Sequence, residues 1–261
     1  MQKEEIKFEN SLLFEGMTSI RSILKGNDLK VNDRKITKIY YDTERSSKIQ
    51  KELGYLKAVS ENYGFEIIST NADFLNKITI GNTHGGLVAY AEERTIPSYS
   101  SLFNTPDFSP SGFYCMIEGI EDPYNFGYAI RSLYAAGCDG IILGERNWMS
   151  AAGVVARSSA GASEMINIYS GINAECIDEF KNHGYKIICA DKKTDYILGQ
   201  CELKFPLLLL VGGEKRGVSR SLMDKADMLV KINYAREFNA SLSAASATTM
   251  FAYEIMRQNF K

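Results

Sequence analysis

The chain has 261 residues, 45% hydrophobic and 24% charged, a globular composition with room for one large domain or two modest ones. Thirty Lys and Arg stand against 32 Asp and Glu, a net charge of −2. That excludes a globally basic nucleic-acid coat protein and still allows a local basic patch. No apolar run approaches the length of a membrane span, the longest being residues 205–211, and the charged start MQKEEIKFEN lacks the apolar core of a secretory signal. Five cysteines without a CxxC pair read as reduced, buried thiols in a cytoplasmic protein. Only His84 and His183 are available for imidazole chemistry, so neither a His-based zinc site nor a hydrolase triad is expected.

Taken in order, the pattern predicts a small α/β domain over residues 1–95. Its elements are a helix over 11–24 ending at Gly26, a strand over 35–42 and a helix over 49–62 stopped by Gly64. A strand over 65–70, a short helix over 72–77 and a strand over 86–92 complete it. Residues 21–57 hold ten Lys or Arg against five Asp or Glu, the most basic stretch of the chain. It is either a solvated helical face or an anion-binding surface, with Lys30, Arg34 and Lys35 as candidate contacts. The Pro- and Ser-rich residues 96–111 read as a linker. From 112 to 261 strands and helices alternate: strands at 113–118, 140–143, 166–170, 185–191, 206–213 and 228–233. Helices fall between them at 126–136, 151–159, 174–182 and 218–224, with a last one over 240–259. That order implies a parallel sheet covered by helices on both faces, with residues 206–213 at its centre. Ligands of such sheets sit at the carboxyl ends of the strands.

Three clusters stand at such ends. Asn125, Gly127 and Arg131 open the helix after the first strand; Asn125 reads as its N-cap, and Arg131 either pairs with a neighbouring carboxylate or acts on a ligand. Gly212, Glu214 and Gly217 follow the most apolar strand. The glycines admit a ligand to the backbone or make a tight turn, and Glu214 is a helix-capping acid or a functional one. Asn239 and Ser241 open the last helix, whose small residues 241–247 suit close packing. Neither a P-loop nor a GxGxxG is present.

Together and in this order, N-x-G-x-x-x-R, G-x-E-x-x-G and N-x-S resemble the three motifs of the SpoU (TrmH-like) RNA methyltransferases of the SPOUT superfamily. RSSAGASE (157–164) is similar to the family's Ser-Ala-Gly-Ala stretch, and GNTHGGLVA (81–89) to a segment closing the small RNA-binding domain often fused in front. The resemblance implies a C-terminal α/β domain with a deep trefoil knot, and a homodimer using S-adenosylmethionine to methylate a ribose 2′-hydroxyl of rRNA or tRNA. No metal and no membrane take part. It implies that Asn125, Arg131, Glu214 and Asn239 form the catalytic site and that Gly212, Gly213, Ile232 and Phe238 hold the cofactor. The chain departs from the family pattern after its last strand. Asn233 and Tyr234 replace Pro-Met, Glu237 replaces a Ser, and the loop to Asn239 is shorter. An RNA-binding relative that has lost turnover through this altered motif is therefore the alternative, and a small-molecule methyltransferase a third reading.

Overall fold

A computed structural model describes residues 13–80, 84–144 and 151–260. In chain order the first elements are β1 (Leu13–Glu15), α1 (Gly16–Asp28), β2 (Ile36–Asp42), α2 (Gln50–Tyr63), β3 (Glu66–Thr70), α3 (Ala72–Ile78) and β4 (Leu87–Ala91). Then come α4 (Tyr99–Leu102), β5 (Phe113–Glu118), α5 (Pro123–Ala135), β6 (Gly140–Leu143), α6 (Ala152–Ser158), α7 (Ala162–Met165) and β7 (Asn167–Ser170). The last are α8 (Ala174–Asn182), β8 (Lys186–Ala190), β9 (Leu207–Gly212), α9 (Arg220–Met223), β10 (Met228–Val230) and α10 (Ala244–Asn259). The described residues fall into two compact units, one drawn from 1–95 and 147–165, the other from 96–146 and 166–261. No described helix is long and apolar enough to cross a membrane.

In the first unit the sheet runs β1-β4-β2-β3, with β2 and β3 parallel and the other pairs antiparallel. The predicted first helix starts late, because residues 13–15 pair with β4 before the chain turns at Gly16, where φ is +80°. Gly26 does not stop that helix. It lies inside α1, where a Cβ would come within 2.0 Å of the Glu164 carbonyl oxygen. Gly64 does end α2, in the left-handed conformation. His84 is buried, and Nδ1 accepts the Gly86 N–H at 3.1 Å, so Nε2 carries the proton and donates to Asn76 Oδ1. Burial pushes its pKa down, which keeps this turn-holding imidazole neutral. Residues 81–83 of the same segment lie outside the described residues.

Residues 151–165, which the alternation of strands and helices groups with the second domain, pack in the first unit. The reason is close backbone approach. A Cβ on Gly153 would lie 1.9 Å from the Leu13 carbonyl oxygen, and one on Gly161 would lie 2.4 Å from the Ser22 Cβ. A buried polar cluster completes the contact. Arg34 Nε donates to Glu164 Oε2 at 2.9 Å and Asn32 Nδ2 to the same oxygen at 2.6 Å, with Arg34 and Glu164 each 2% exposed. Arg94 donates to the Ser163 carbonyl. Burial alone would raise the Glu164 pKa; the charges of Arg34 and Arg94 and the hydrogen bonds from Arg34 and Asn32 outweigh it and hold the carboxyl low. Arg34 therefore belongs to the interior, unlike the exposed Lys30 and Lys35.

The second unit carries a six-stranded sheet in the order β10-β8-β9-β5-β6-β7, parallel throughout. Its middle strands are β9 and β5, and residues 207–211 of β9 are buried, as an all-apolar strand covered on both faces requires. Residues 96–111 are fastened to this unit rather than free. Leu102 is buried, the Phe103 ring stacks on His183 at 4.7 Å, and the Ser170 N–H donates to the Pro97 carbonyl. The apolar side chains set among the Ser and Pro residues account for this. All five cysteines are free, and four are buried. Burial pushes the thiols of Cys176 and Cys189 up to about 12, which makes them inert packing groups.

Candidate active site

The carboxyl ends of β8, β9 and β10 open on a cavity of about 290 Å3. Asp191, Lys192 and Lys193 enter from the loop after β8, Gly212, Gly213 and Glu214 from the turn after β9, and Ile232 and Tyr234 from the chain beyond β10. Ser241, Leu242 and Ala244 close it at the start of α10, and Val211, Val230 and Phe251 supply apolar walls.

The turn after β9 explains its own glycines. A Cβ on Gly212 would lie 2.0 Å from the Gly217 carbonyl carbon, and one on Gly213 would lie 2.1 Å from the Gly119 carbonyl oxygen. The Gly213 N–H donates to the Glu118 carbonyl at 2.7 Å, and the Gly217 N–H to the Gly213 carbonyl at 2.9 Å. Backbone packed on backbone thus fixes this turn, and the turn presents Glu214. Its Oε1 accepts the N–H of Ala244, the first residue of α10, at 2.8 Å and the Asn125 side-chain N–H at 3.3 Å. One carboxylate oxygen therefore joins the first turn of α5, the turn after β9 and the positive end of a sixteen-residue helix.

Asn125 is free to do this because it is not the N-cap of α5. Asp122 is, accepting the N–H groups of Tyr124 and Asn125, with Pro123 in the first turn. Likewise Ser243, not Asn239, caps α10 by accepting the Ser246 N–H, so the last helix begins four residues later than the pattern predicts. The segment before it is held by two side chains the motifs do not contain. Lys192 Nζ donates to the Ala240 carbonyl at 3.2 Å, and the Leu242 N–H donates to the Tyr234 hydroxyl at 3.2 Å. The Tyr234 ring also packs on Phe238, with centroids 5.9 Å apart.

The family model described as the SpoU rRNA Methylase family matches residues 112–253. The chain belongs to the SpoU family. A protein of Staphylococcus haemolyticus (strain JCSC1435), named for the TrmH family of tRNA/rRNA methyltransferases, is 36% identical over 146 residues, covering 55% of this chain and 57% of the relative. The match thus spans little more than half the length of that relative. Two solved structures share the fold. One is of an RNA 2′-O ribose methyltransferase, with a TM-score of 0.74 at 20% identity over 97% of this chain and 95% of that one. The other is the SpoU methyltransferase AviRb from Streptomyces viridochromogenes in complex with AdoMet, at 0.74 and 22%, covering 97% of this chain and 96% of that one.

Of the SpoU motif residues, the fold brings Asn125 and Glu214 into contact and sets Gly212, Gly213 and Ile232 in the cavity wall. Arg131 lies two turns into α5, exposed, and forms no hydrogen bond or ion pair with a described residue. Asn239 is exposed without a described side-chain partner, and Phe238 is 57% exposed and does not line the cavity. Asp191, Lys192 and Tyr234 line the SpoU cavity and were not among the candidates. Their signal was position, since each follows the carboxyl end of a strand. Among the described residues no cluster of metal-ligating side chains occurs.

Proposed function

We propose that this SpoU protein is a cytoplasmic, homodimeric enzyme that transfers a methyl group from S-adenosylmethionine to a ribose 2′-hydroxyl of structured RNA, either rRNA or tRNA. The observation that carries the reading is the bond set at Glu214, a cavity-lining residue of the second motif that holds Asn125 of the first motif and the start of α10.

The residues present suit that cofactor. An apolar slot between Val211, Val230, Leu242 and Phe251 accepts a flat heterocycle, and the Asp191 carboxylate at its edge accepts sugar hydroxyls. Gly212, Gly213 and Ile232 offer backbone groups there. When bound, the cofactor supplies an electrophilic methyl carbon on a sulfonium. The protein's part is orientation. Arg131, without an ion pair to a described residue, presents a planar fork of donors to hold a phosphate and the reacting hydroxyl together. A guanidinium stays protonated, so Arg131 orients the hydroxyl rather than accepting its proton. Glu214 fixes Asn125, two residues before Gly127, and so sets the start of the helix that carries Arg131. Orientation of this kind is worth several kcal/mol of a bimolecular barrier.

The altered loop after β10 supports turnover rather than its loss, because Lys192 and Tyr234 tether it at Ala240 and Leu242. Homodimerisation is supported by the exposed Tyr124 and Tyr128 on α5 and Met250 and Tyr253 on α10, an apolar face on two helices joined by the Ser132–Thr249 hydroxyl pair. The knot expected for the family belongs to the same proposal. The test is methyl-labelled S-adenosylmethionine with RNA from cells lacking the protein, followed by digestion to nucleosides. A 2′-O-methylated nucleoside is expected. Label on a base, or failure to bind the cofactor at millimolar concentration, overturns the reading.

A further inference from the structure

The net positive charge of residues 21–57 is not evenly available, since Arg34 is buried and paired with Glu164. Two of its exposed cations stand together at a cavity of about 470 Å3 inside the first unit, large enough for one nucleotide. Arg21 and Lys25 of α1 line it. They stand one helical turn apart on the same face, both exposed, and neither forms an ion pair with a described residue. The Arg21 guanidinium rests over the Tyr55 ring of α2, 5.3 Å from its centroid, which restricts its freedom. The opposite wall is the turn at Ala160, a non-glycine residue at φ +52°, pressed onto α1 where Gly161 meets Ser22. Met17 and Met165 give the cavity soft apolar surface, and Glu52 gives it one carboxylate.

We infer that this cavity is a subsite for one nucleotide of the substrate RNA, with the phosphodiester between Arg21 and Lys25 and the base against Met17 and Met165. The inference rests on the RNA methyltransferase reading and adds where the first unit grips its substrate. Two cations opposite one carboxylate suit the single charge of a diester better than the double charge of a phosphate monoester, which Glu52 repels. Glu52 also offers an acceptor to a ribose hydroxyl or a base amino group, and the methionine surface has no use in binding a bare ion.

The experiment uses the full chain and bulk RNA from cells lacking the protein. Arg21→Ala/Lys25→Ala is compared with Lys48→Ala/Lys57→Ala, which removes two exposed cations outside the cavity. Filter binding across a salt series, calorimetry with S-adenosylmethionine, and thermal melting are run on each. The cavity pair should weaken RNA binding at least about 10-fold and flatten the slope of log affinity against log salt by about 0.8, as release of one neutralised phosphate requires. Its cofactor affinity and melting should match the parent, and the Lys48/Lys57 pair should stay within about two-fold of the parent for RNA. Equal losses in both pairs, or no loss in the cavity pair, overturn the subsite and leave the methyltransferase reading standing. A parent protein that neither binds nor methylates the RNA overturns that reading itself, and the subsite with it.

Discussion

Replacing Glu164 by Gln keeps the shape of the side chain and removes its charge. Arg34 would then remain charged at 2% exposure, with the Glu92 carbonyl, 2.7 Å from Nη1, as its remaining full acceptor and a neutral amide in place of the carboxylate 2.9 Å from Nε. Breaking a buried pair this way costs about 3–5 kcal/mol, because an uncompensated charge is left inside. Arg34→Met/Glu164→Leu removes both members of the pair, leaves Arg94 held by the Ser163 and Val31 carbonyls, and should cost no more than about 2 kcal/mol. Arg34→Met and Glu164→Leu made singly each strand a charge and so should not add, and the double-mutant cycle should give a coupling of at least about 2 kcal/mol. The assay is urea unfolding followed by circular dichroism, with amide exchange at α1 and α7 as the local reporter. Acidity gives a second reading. The Glu164 carboxyl is held below its ordinary value when folded, so its contribution is present above the unfolded pKa and is lost as pH falls through the carboxylate range. The parent should lose stability between about pH 5 and pH 3 more steeply than the double variant. Additive single losses below about 1 kcal/mol each would refute the reasoning.

Arg131→Lys should leave melting and cofactor binding unchanged, since the guanidinium makes no bond with a described residue, while methyl transfer falls at least about 100-fold; retained turnover removes it from the catalytic set. Glu214→Ala frees the Ala244 N–H and the Asn125 amide, and should cost about 1 kcal/mol of stability and weaken cofactor binding in calorimetry. Tyr234→Phe deletes one hydrogen bond to Leu242 while keeping the ring, so cofactor affinity should fall about five-fold and amide exchange at 236–243 should quicken; unchanged exchange there would mean the hydroxyl does not tether the loop.

The parallel sheet was legible because strands such as 207–212 have one composition that only a doubly covered position explains. Helix starts were less so. Asn125 and Asn239 are sound cap residues by type, and Asp122 and Ser243 hold those positions because their side chains reach the free N–H groups. The motif residues were readable as a set through the family resemblance. Lys192 and Tyr234 were not, since a tether is defined by what it reaches, and Ala240 and Leu242 are ordinary residues to reach. Arg34 looked like surface charge because its partner, Glu164, lies far along the chain. Gly26 looked like a helix end, and in the fold it is, like Gly153 and Gly161, a place where the backbone lies against another segment.

The division of the chain has a consequence for biosynthesis. The first unit takes its last piece from residues 147–165, after the chain has already laid down β5, α5 and β6 of the second. A nascent chain leaving the ribosome at residue 95 thus carries a half-finished unit, with Arg34 and the faces at Leu13, Ser22 and Gly26 waiting for a segment still to be translated. Neither unit can be completed before the other has begun. Maturation of the two is therefore one interleaved event during synthesis, with the long wait between distant contacts that slows such topologies.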